Sequence, residues 1–429
     1  MNKPTLPGPG AGRHETIMVA LLSLGFGLVG LDRFIILPLF PVIMRDLQMN
    51  YQDLGNLSAA LAMAWGLAAL TVGDMVDRLG RKAVLVGSLL LVSALSSLSA
   101  LAGGLFGLLA LRALMGVCEG LFTPAGITVA TEVSHPDRRG FNLGVQQALF
   151  PVLGLALGPL IAVWLLETLH SWRGVFAVVA LPGFLLAWLI HRHYRPELGH
   201  QPPASGQPAG APLPWRQLLR LGNIRLNVLL MFCILACQFV LCAMLPNYLT
   251  DHLRLSTMEM ASVISAIGIG GFIGQLIVPG LSDLYGRKPA VMLSFAASAA
   301  LVLLLKLAPA QPWLLFILLF GISFFNCSLT CLTVGPLTGE SVPAALLPAA
   351  TGVVVGLGEV LGGGAAPALA GLVATRFGLP AILYVALGGS LGGLALSTRL
   401  KGPREEPSSL PIPDEIPPTV RALPERGWR

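Results

Sequence analysis

Long apolar segments alternate with short polar ones along the whole chain. A membrane-spanning helix needs about 20 predominantly apolar residues, and twelve segments approach or exceed this length. They are Ile17–Ile43, Leu54–Val76, Ala83–Leu101, Leu105–Ala130, Phe141–Leu166, Trp172–Ile190, Val228–Leu249, Met258–Leu281, Ala290–Leu307, Trp313–Leu337, Leu346–Val373 and Ala381–Leu396. Gly and Pro interrupt the tenth and eleventh segments, so their bounds are the least well defined. The pattern predicts an all-α membrane protein with twelve spanning helices.

The polar loop after the second segment recurs after the eighth. Residues 73–82 read Gly-Asp-Met-Val-Asp-Arg-Leu-Gly-Arg-Lys, and residues 279–288 read Pro-Gly-Leu-Ser-Asp-Leu-Tyr-Gly-Arg-Lys. Asp77 aligns with Asp283 and Gly80 with Gly286, at an offset of 206 residues in both pairs. A loop repeated at about half the chain length indicates an internal duplication, and therefore two pseudo-symmetric six-helix bundles.

The segments between and beyond these bundles have a different composition. Residues 195–222 are rich in Pro, Gly and Gln and lack apolar periodicity, which predicts a cytoplasmic linker. The linker separates an N-terminal bundle at 17–194 from a C-terminal bundle at 223–398. We expect residues 1–16 to form a cytoplasmic N-terminus and residues 399–429, which are Pro-rich and charged, a disordered cytoplasmic tail.

Composition and charge support a membrane protein and set its orientation. Of the 429 residues, 55% are hydrophobic and 11% are charged, whereas soluble domains carry about 25% charged residues. With both termini on one side, that side holds 20 of the 27 Lys and Arg residues and the other side holds 5. This asymmetry predicts cytoplasmic termini, in a bacterial inner (plasma) membrane. The net charge of +6 then comes from loop residues that set the orientation in the membrane, and we expect no nucleic-acid partner.

The first polar loop fits the pattern Gly-x-x-x-Asp-Arg-x-Gly-Arg-Lys, and with six helices on each side of a linker the chain resembles the major facilitator superfamily. Asp32-Arg33 in the first helix, and Gly116-Val-Cys-Glu-Gly-Leu-Phe-Thr-Pro124 with Arg112 in the fourth, are similar to its anion:cation symporter branch. The resemblance implies alternating access in the cell membrane, a small organic anion such as a sugar acid or carboxylate as substrate, and function as a monomer.

The same resemblance implies a gate at the two repeated loops. The second copy departs from the pattern, with Pro279 in place of the leading Gly and Leu284 in place of the Arg, so any ionic latch there should be weaker. The implied gating residues are Gly73, Asp77, Arg78, Gly80, Arg81, Asp283, Gly286 and Arg287.

Five ionisable residues lie well inside the predicted helices: Asp32, Arg33, Arg112, Glu119 and Glu359. A charge at the bilayer centre costs about 3 kcal/mol on insertion scales, so such residues usually face a cavity and pair with one another. We expect Asp32 and Glu119 to carry protons, Arg33 and Arg112 to bind a substrate carboxylate or phosphate, and Arg33 to form a salt bridge with Glu119. The alternative interpretation is a set of structural ion pairs that fix helices 1 and 4.

The second half carries mostly neutral polar residues. Gln238 is the counterpart of Asp32 under the 206-residue offset. Together with Tyr248 and Asn326 it is a candidate for hydrogen bonds to a polyol or similar ligand, although helix–helix hydrogen bonds would use the same residue types. Glu359 lies in a Gly-rich stretch of helix 11, where it would either contact substrate or satisfy a helix break.

The pattern favours a proton-coupled symporter, with no cofactor other than the proton as coupling ion. A proton-driven antiporter that exports drugs or metabolites is the alternative within transport, and a non-transporting membrane sensor is a further one. An enzyme is not predicted, because the sequence contains no metal-ligand set, nucleophile–base pair or phosphate-binding loop. All six Cys residues fall in apolar segments, which predicts small core residues rather than disulfides or metal ligands.

Overall fold

A computed structural model describes residues 11–195, 215–343 and 346–400, without the side chains of residues 11, 71–78, 215, 216 and 348. This part of the chain contains twelve helices long and apolar enough to cross a membrane, as predicted. They are α1 (Gly12–Asp46), α2 (Tyr51–Leu70), α3 (Arg81–Ser99), α4 (Leu105–Val133), α5 (Pro136–Leu169), α6 (Trp172–His193), α7 (Gly222–His252), α8 (Thr257–Tyr285), α9 (Arg287–Leu307), α10 (Pro312–Leu337), α11 (Ala349–Phe377) and α12 (Leu379–Ser397).

The helices extend a little beyond some of the predicted bounds. The helical backbone of α2 continues to Leu79, and α7 begins six residues before the predicted Val228. A short helix, Trp215–Leu218, lies in the segment predicted as a linker without structure. Residues 1–10, 196–214 and 401–429 are outside the described residues, so the predicted linker and termini stay predictions there.

The two halves repeat one packing plan. In the first half α2 packs along α4, α3 contacts both α4 and α6, and α1 contacts α5 and α6. In the second half α8 packs along α10, α9 contacts both α10 and α12, and α7 contacts α11 and α12. Each α-helix of the first half therefore has a counterpart six helices later, as the repeated loop predicts.

The halves are joined mainly by α2 with α11 and α5 with α8, and also by contacts of α7 with α1 and with α2. Glycines let the backbones of α2 and α11 touch. A Cβ at Gly55 would lie 2.5 Å from the carbonyl oxygen of Pro367, and one at Gly66 would lie 2.6 Å from that of Gly356. We call this line of backbone contact between α2 and α11 the glycine seam; its close approach is typical of helix packing in membranes.

Two breaks in the helices bear on the site. α1 is interrupted at Ile35, because Pro38 has no N–H to donate and its ring would clash with the carbonyl of Phe34. α11 contains a π-helical turn at Glu359–Ala365, which includes three consecutive glycines. Such turns are rare and are often found at functional sites.

An even number of spans places the start of α1 and the end of α12 on the same side, which we call the terminal face. The repeated loops lie there, and their Gly80 and Gly286 have φ angles of +80° and +94°. Only glycine adopts this region readily, which explains why both copies of the loop keep a Gly at this turn. The other side, with the α1–α2 and α7–α8 connections, is the opposite face.

Candidate functional site

Arg33 in α1 forms a buried salt bridge across the boundary between the two halves. Its Nη2 lies 2.8 Å from Oε2 of Glu359 in α11, and both side chains are at least nine-tenths buried. The predicted salt bridge between Arg33 and Glu119 is therefore wrong. Helical spacing places residues on a face, but it does not define which neighbouring helix supplies the partner.

The π-helical turn of α11 brings Glu359 close to α2. A Cβ at Gly66 would lie 3.3 Å from the Cβ of Glu359, and one at Gly363 would lie 2.5 Å from its Oε2. Gly363 thus leaves the space that the carboxylate occupies. Glu359 lies at a break in α11, and its contact with substrate stays a prediction.

Three aromatic rings surround the Arg33 guanidinium. Its Cζ lies 4.7 Å from the ring centroid of Phe239 in α7, 5.7 Å from that of Phe34 and 5.8 Å from that of Trp65 in α2. Cation–π contacts of this kind are worth about 2 kcal/mol when desolvated. The rings and Glu359 together stabilise a charge that would otherwise be costly to bury.

Arg112 in α4 binds the break in α1. Its Nη1 donates to the carbonyl oxygens of Asp32 and Arg33, at 3.1 and 3.3 Å. These carbonyls lie at the interruption of α1, where they lack their usual backbone N–H donors. The guanidinium lies 5.8 Å from the ring centroid of Phe176, while its Nε and Nη2 have no hydrogen-bond partner. Arg112 therefore positions α1 and still has donors for a ligand.

Asp32 and Glu119, the two predicted proton carriers, are fully buried, and each has at least one carboxylate oxygen without a hydrogen-bond partner. Oδ1 of Asp32 accepts from the hydroxyl of Ser96 in α3 at 2.7 Å, and its Oδ2 has no partner. Neither carboxylate oxygen of Glu119 has a hydrogen-bond partner. Glu119 lies within electrostatic range of Arg33, Arg112, Asp32 and Glu359, so the five intramembrane charges form one cluster.

A small cavity of about 30 Å³ adjoins this charge cluster, lined by residues of α1, α2, α4 and α7 that include Arg33 and Arg112. A water molecule needs roughly 10–15 Å³ by the same measure, so the space holds about two waters. In this conformation a sugar acid or similar ligand does not fit.

The three neutral residues predicted to contact substrate do not line this cavity. Oε1 of Gln238 lies 3.4 Å from the thiol of Cys327, within the second half. Tyr248 is buried, 5.2 Å from the ring of His252 near the opposite face. Asn326 is buried in α10, with no hydrogen-bond partner for either side-chain atom. Gln238, Tyr248 and Asn326 as ligand contacts therefore remain predictions.

The repeated loops form ion pairs within their own halves. Arg81 pairs with Glu132 at the end of α4, and Arg287 pairs with Asp283 at 2.5 Å and with Glu340 at 3.2 Å. The side chains of Asp77 and Arg78 lie outside the described residues, and Gly73 lies in the helical backbone of α2. The predicted latch between halves, and its weaker second copy, therefore stay predictions.

Further polar contacts between the halves lie at the opposite face, where no sequence motif indicated them. The hydroxyl of Tyr51 in α2 donates to Oδ2 of Asp251 at the end of α7, at 3.1 Å, and Asn247 donates to the same oxygen at 3.0 Å. Nη2 of Arg45 lies 3.8 Å from Oδ1 of Asp251. Nearby, Gln52 donates to the carbonyl of Ala368. We call this group the Asp251 clasp.

We expect Asp251→Asn to open the opposite face more often, because the amide keeps one hydrogen bond but loses the charge that Arg45 and Tyr51 engage. An impermeant thiol reagent applied to the opposite face should then label Cys242, which lines the cavity, several-fold faster in a variant lacking the other five cysteines. Asp46→Asn is the matched control, because Asp46 pairs with Arg173 on the same face but within one half. Equal labelling rates in the two variants would exclude a gating role for the clasp.

Two further buried polar residues belong beside the predicted set. Ser96 holds Asp32, but it is one of five Ser residues in α3, so nothing in the sequence distinguishes it. Gln146 in α5 is 1% exposed, and neither atom of its amide has a hydrogen-bond partner. A Cβ at Gly126 of α4 would lie 3.0 Å from its Nε2. Gln146 and Gln147 are adjacent in sequence, so the pattern alone does not indicate which of the two side chains faces the interior. The structure places Gln146 there.

Comparison with known proteins places this arrangement in a family. The sequence profile of the Major Facilitator Superfamily matches residues 22–279 and 228–428. The chain is 25% identical to the sialic acid transporter NanX of Escherichia coli (strain K12) over 366 residues, which cover 84% of this chain and 88% of that protein. It is also 25% identical to the probable sulfoacetate transporter SauU of Cupriavidus necator over 341 residues, which cover 74% of this chain and 77% of that protein.

The fold is shared with a solved structure. A bacterial homologue of the human lysosomal transporter Spinster, in an inward-facing and unoccupied conformation, superposes with a TM-score of 0.70 at 16% identity, covering 90% of this chain and 94% of that one. The profile matches span far more than half of the chain, and the similar proteins are transporters rather than enzymes. The chain therefore belongs to the Major Facilitator Superfamily of membrane transporters, among which it resembles those that carry organic anions.

Proposed function

We propose that this protein is a proton-coupled symporter that moves a small organic anion across the bacterial inner membrane by alternating access, with both termini in the cytoplasm. It works as a monomer, with the proton as coupling ion. The similarity to a sialic acid transporter and a probable sulfoacetate transporter supports an organic anion as substrate. The observation that carries the proposal is the charge balance of the buried cluster.

The cluster contains three carboxylates, those of Asp32, Glu119 and Glu359, and two guanidiniums, those of Arg33 and Arg112. With all five groups ionised it carries one surplus negative charge. An isolated buried charge is costly, so a cluster held in a low-dielectric environment is most stable when neutral. One bound proton makes it neutral, and Asp32 and Glu119 have the free carboxylate oxygens to accept it.

Binding of an anion changes this balance. A substrate carboxylate that engages Arg33 competes with Glu359, which now contacts Nη2 of the guanidinium. The site would then hold a further negative charge, which a further proton offsets. Anion and proton therefore enter together, which is the physical basis of symport in this proposal.

The exchange at Arg33 also links binding to movement. Arg33 lies in the first half and Glu359 in the second, so loss of their salt bridge removes a contact that holds the halves together at the midpoint of the membrane. Rocking of one bundle against the other around such a site is the usual mode of alternating access. The Asp251 clasp holds the opposite face closed in the conformation described above.

Reconstituted vesicles with an internal pH indicator test the proposal. Addition of a transported anion outside should acidify the lumen, and an imposed inward proton gradient should drive accumulation of that anion. Uptake that neither acidifies the lumen nor responds to the proton gradient would rule out symport. Export driven by proton entry would establish antiport instead.

A further inference from the structure

The walls of the cavity beside Arg33 are predominantly apolar. Of the eleven residues that line it, seven have hydrocarbon side chains, and the two guanidiniums supply the charge. Ser58 is the one hydroxyl in this lining, and Cys242 contributes a thiol. Hydrogen-bonding groups for an uncharged part of a ligand are therefore few: the Ser58 hydroxyl and the Nε and Nη2 of Arg112, none of which has a hydrogen-bond partner.

The apolar wall includes aromatic rings close to the guanidinium. Phe34 and Phe239 lie with their ring centroids 6.2 Å apart and nearly parallel, and both lie near Arg33. A flat ring or hydrocarbon chain attached to a carboxylate could lie against these faces while the carboxylate engages Arg33. Aromatic side chains favour such offset contacts with other rings.

A sugar acid would fit this wall poorly. Each of its hydroxyls needs a hydrogen-bond partner once removed from water, and an unmet one is penalised. Gln238, the residue suited by type and position to bind a polyol, instead faces Cys327, and Tyr248 lies near His252. We take these walls to be those that meet the substrate once the cavity widens.

We propose that the transported anion is an apolar carboxylate, with an aromatic or alicyclic body and few or no hydroxyls, rather than a polyhydroxylated sugar acid. This inference rests on the proposed anion transport and narrows its substrate class. The guanidinium of Arg33 selects the carboxylate, and the ring of Phe239 with the aliphatic lining selects the body. Each buried hydroxyl without a partner weakens binding.

Calorimetric titration of the purified protein with benzoate, cyclohexanecarboxylate, glucuronate and gluconate tests this inference. We expect the first two to bind at least about tenfold more tightly than the sugar acids, because a site rejects groups whose hydrogen bonds it cannot replace. Tighter binding of glucuronate or gluconate would overturn the inference, and so would binding of none of the four.

A matched pair of substitutions ties the result to the cavity. Phe239→Leu removes the ring beside Arg33 and should weaken benzoate binding several-fold more than cyclohexanecarboxylate binding. Phe106→Leu is the control, since Phe106 is 85% exposed on the outside of α4 and should change neither. Equal losses for both ligands in Phe239→Leu would show that the ring does not recognise the substrate.

The same panel in vesicles separates this inference from the proposed function. Because benzoic acid crosses lipid unaided, acidification is measured relative to protein-free vesicles. Acidification by glucuronate alone would leave symport standing and overturn the apolar class. Binding of benzoate without any protein-dependent proton flux would support the apolar site and overturn symport.

Discussion

Glu119→Gln is expected to abolish proton-driven accumulation of the anion while leaving its binding intact. Glutamine has nearly the volume of glutamate and resembles its protonated form, but it can neither release nor take up a proton. The transporter should therefore load its substrate and exchange it across the membrane without net coupled transport. Accumulation in vesicles under an inward proton gradient should fall to the level of protein-free vesicles, whereas exchange of internal for external labelled anion should continue.

Glu167→Gln supplies the control for this change. Glu167 is exposed at the end of α5, away from the charge cluster, so the same chemical change there should alter neither accumulation nor exchange. Persistent acidification on addition of the anion to the Glu119→Gln protein would remove the proton role from Glu119 and leave Asp32 as the remaining candidate.

Arg33→Leu is expected to destabilise the protein strongly, and Glu359→Leu on the same chain to restore most of the loss. Removing one partner of a buried ion pair costs about 3–5 kcal/mol, because the other charge is left uncompensated, whereas replacing both by apolar residues is often neutral. Thermal unfolding in detergent should therefore show a low midpoint for Arg33→Leu and a near-normal one for the double variant. Transport should be absent from both, because the guanidinium that binds the anion is gone.

Glu359→Leu alone should differ from Arg33→Leu in its response to the added anion, and this response distinguishes a substrate site from a purely structural pair. Arg33 then lacks its direct partner, whose place an added carboxylate can take, so the transported anion should raise the unfolding midpoint of this variant more than that of the parent. Arg173→Leu, which breaks the exposed pair with Asp46, should change stability by about 1 kcal/mol or less. If the anion stabilises Glu359→Leu no more than the parent protein, Glu359 does not compete with substrate.

The fold could be predicted from the sequence because hydrophobicity alone decides which segments span a membrane. The twelve apolar segments and the repeated turn at Gly80 and Gly286 were sufficient for the helix number and the two-bundle plan. Breaks within helices were harder to foresee. Pro38 marks the interruption of α1, and the Gly-rich stretch marks a break in α11, but neither specifies the π-helical turn that begins at Glu359.

The members of the charge cluster could be predicted, and their pairing could not. Asp32, Arg33, Arg112 and Glu119 are conspicuous because charged residues are costly in apolar helices. Their partners depend on how each helix is rotated about its axis and shifted along it in the assembled bundle. Arg33 therefore meets Glu359 of the other half rather than Glu119, and Arg112 meets backbone carbonyls that are available only because α1 is broken.

The contacts at the opposite face escaped the sequence analysis for a related reason. Arg45, Tyr51 and Asp251 lie at helix ends, where charged and polar residues are expected in any membrane protein. No repeated motif marks them, whereas the loops of the terminal face carry one. A gate made of individually ordinary residues becomes apparent only when two distant parts of the chain are placed together.

The glycine seam affects the rate at which such a protein can complete a transport cycle. Interdigitated side chains would have to leave and re-enter their grooves at every cycle, and each would add to the activation barrier. Along α2 and α11, Gly55 and Gly66 present smooth backbone to backbone, so sliding or tilting there requires little repacking. The barrier is then concentrated in a few breakable polar contacts, chiefly Arg33 with Glu359 and the hydrogen bonds of Asp251. A larger side chain at Gly55 would thus slow transport even though Gly55 lies against Pro367 and Ala368, away from the charge cluster.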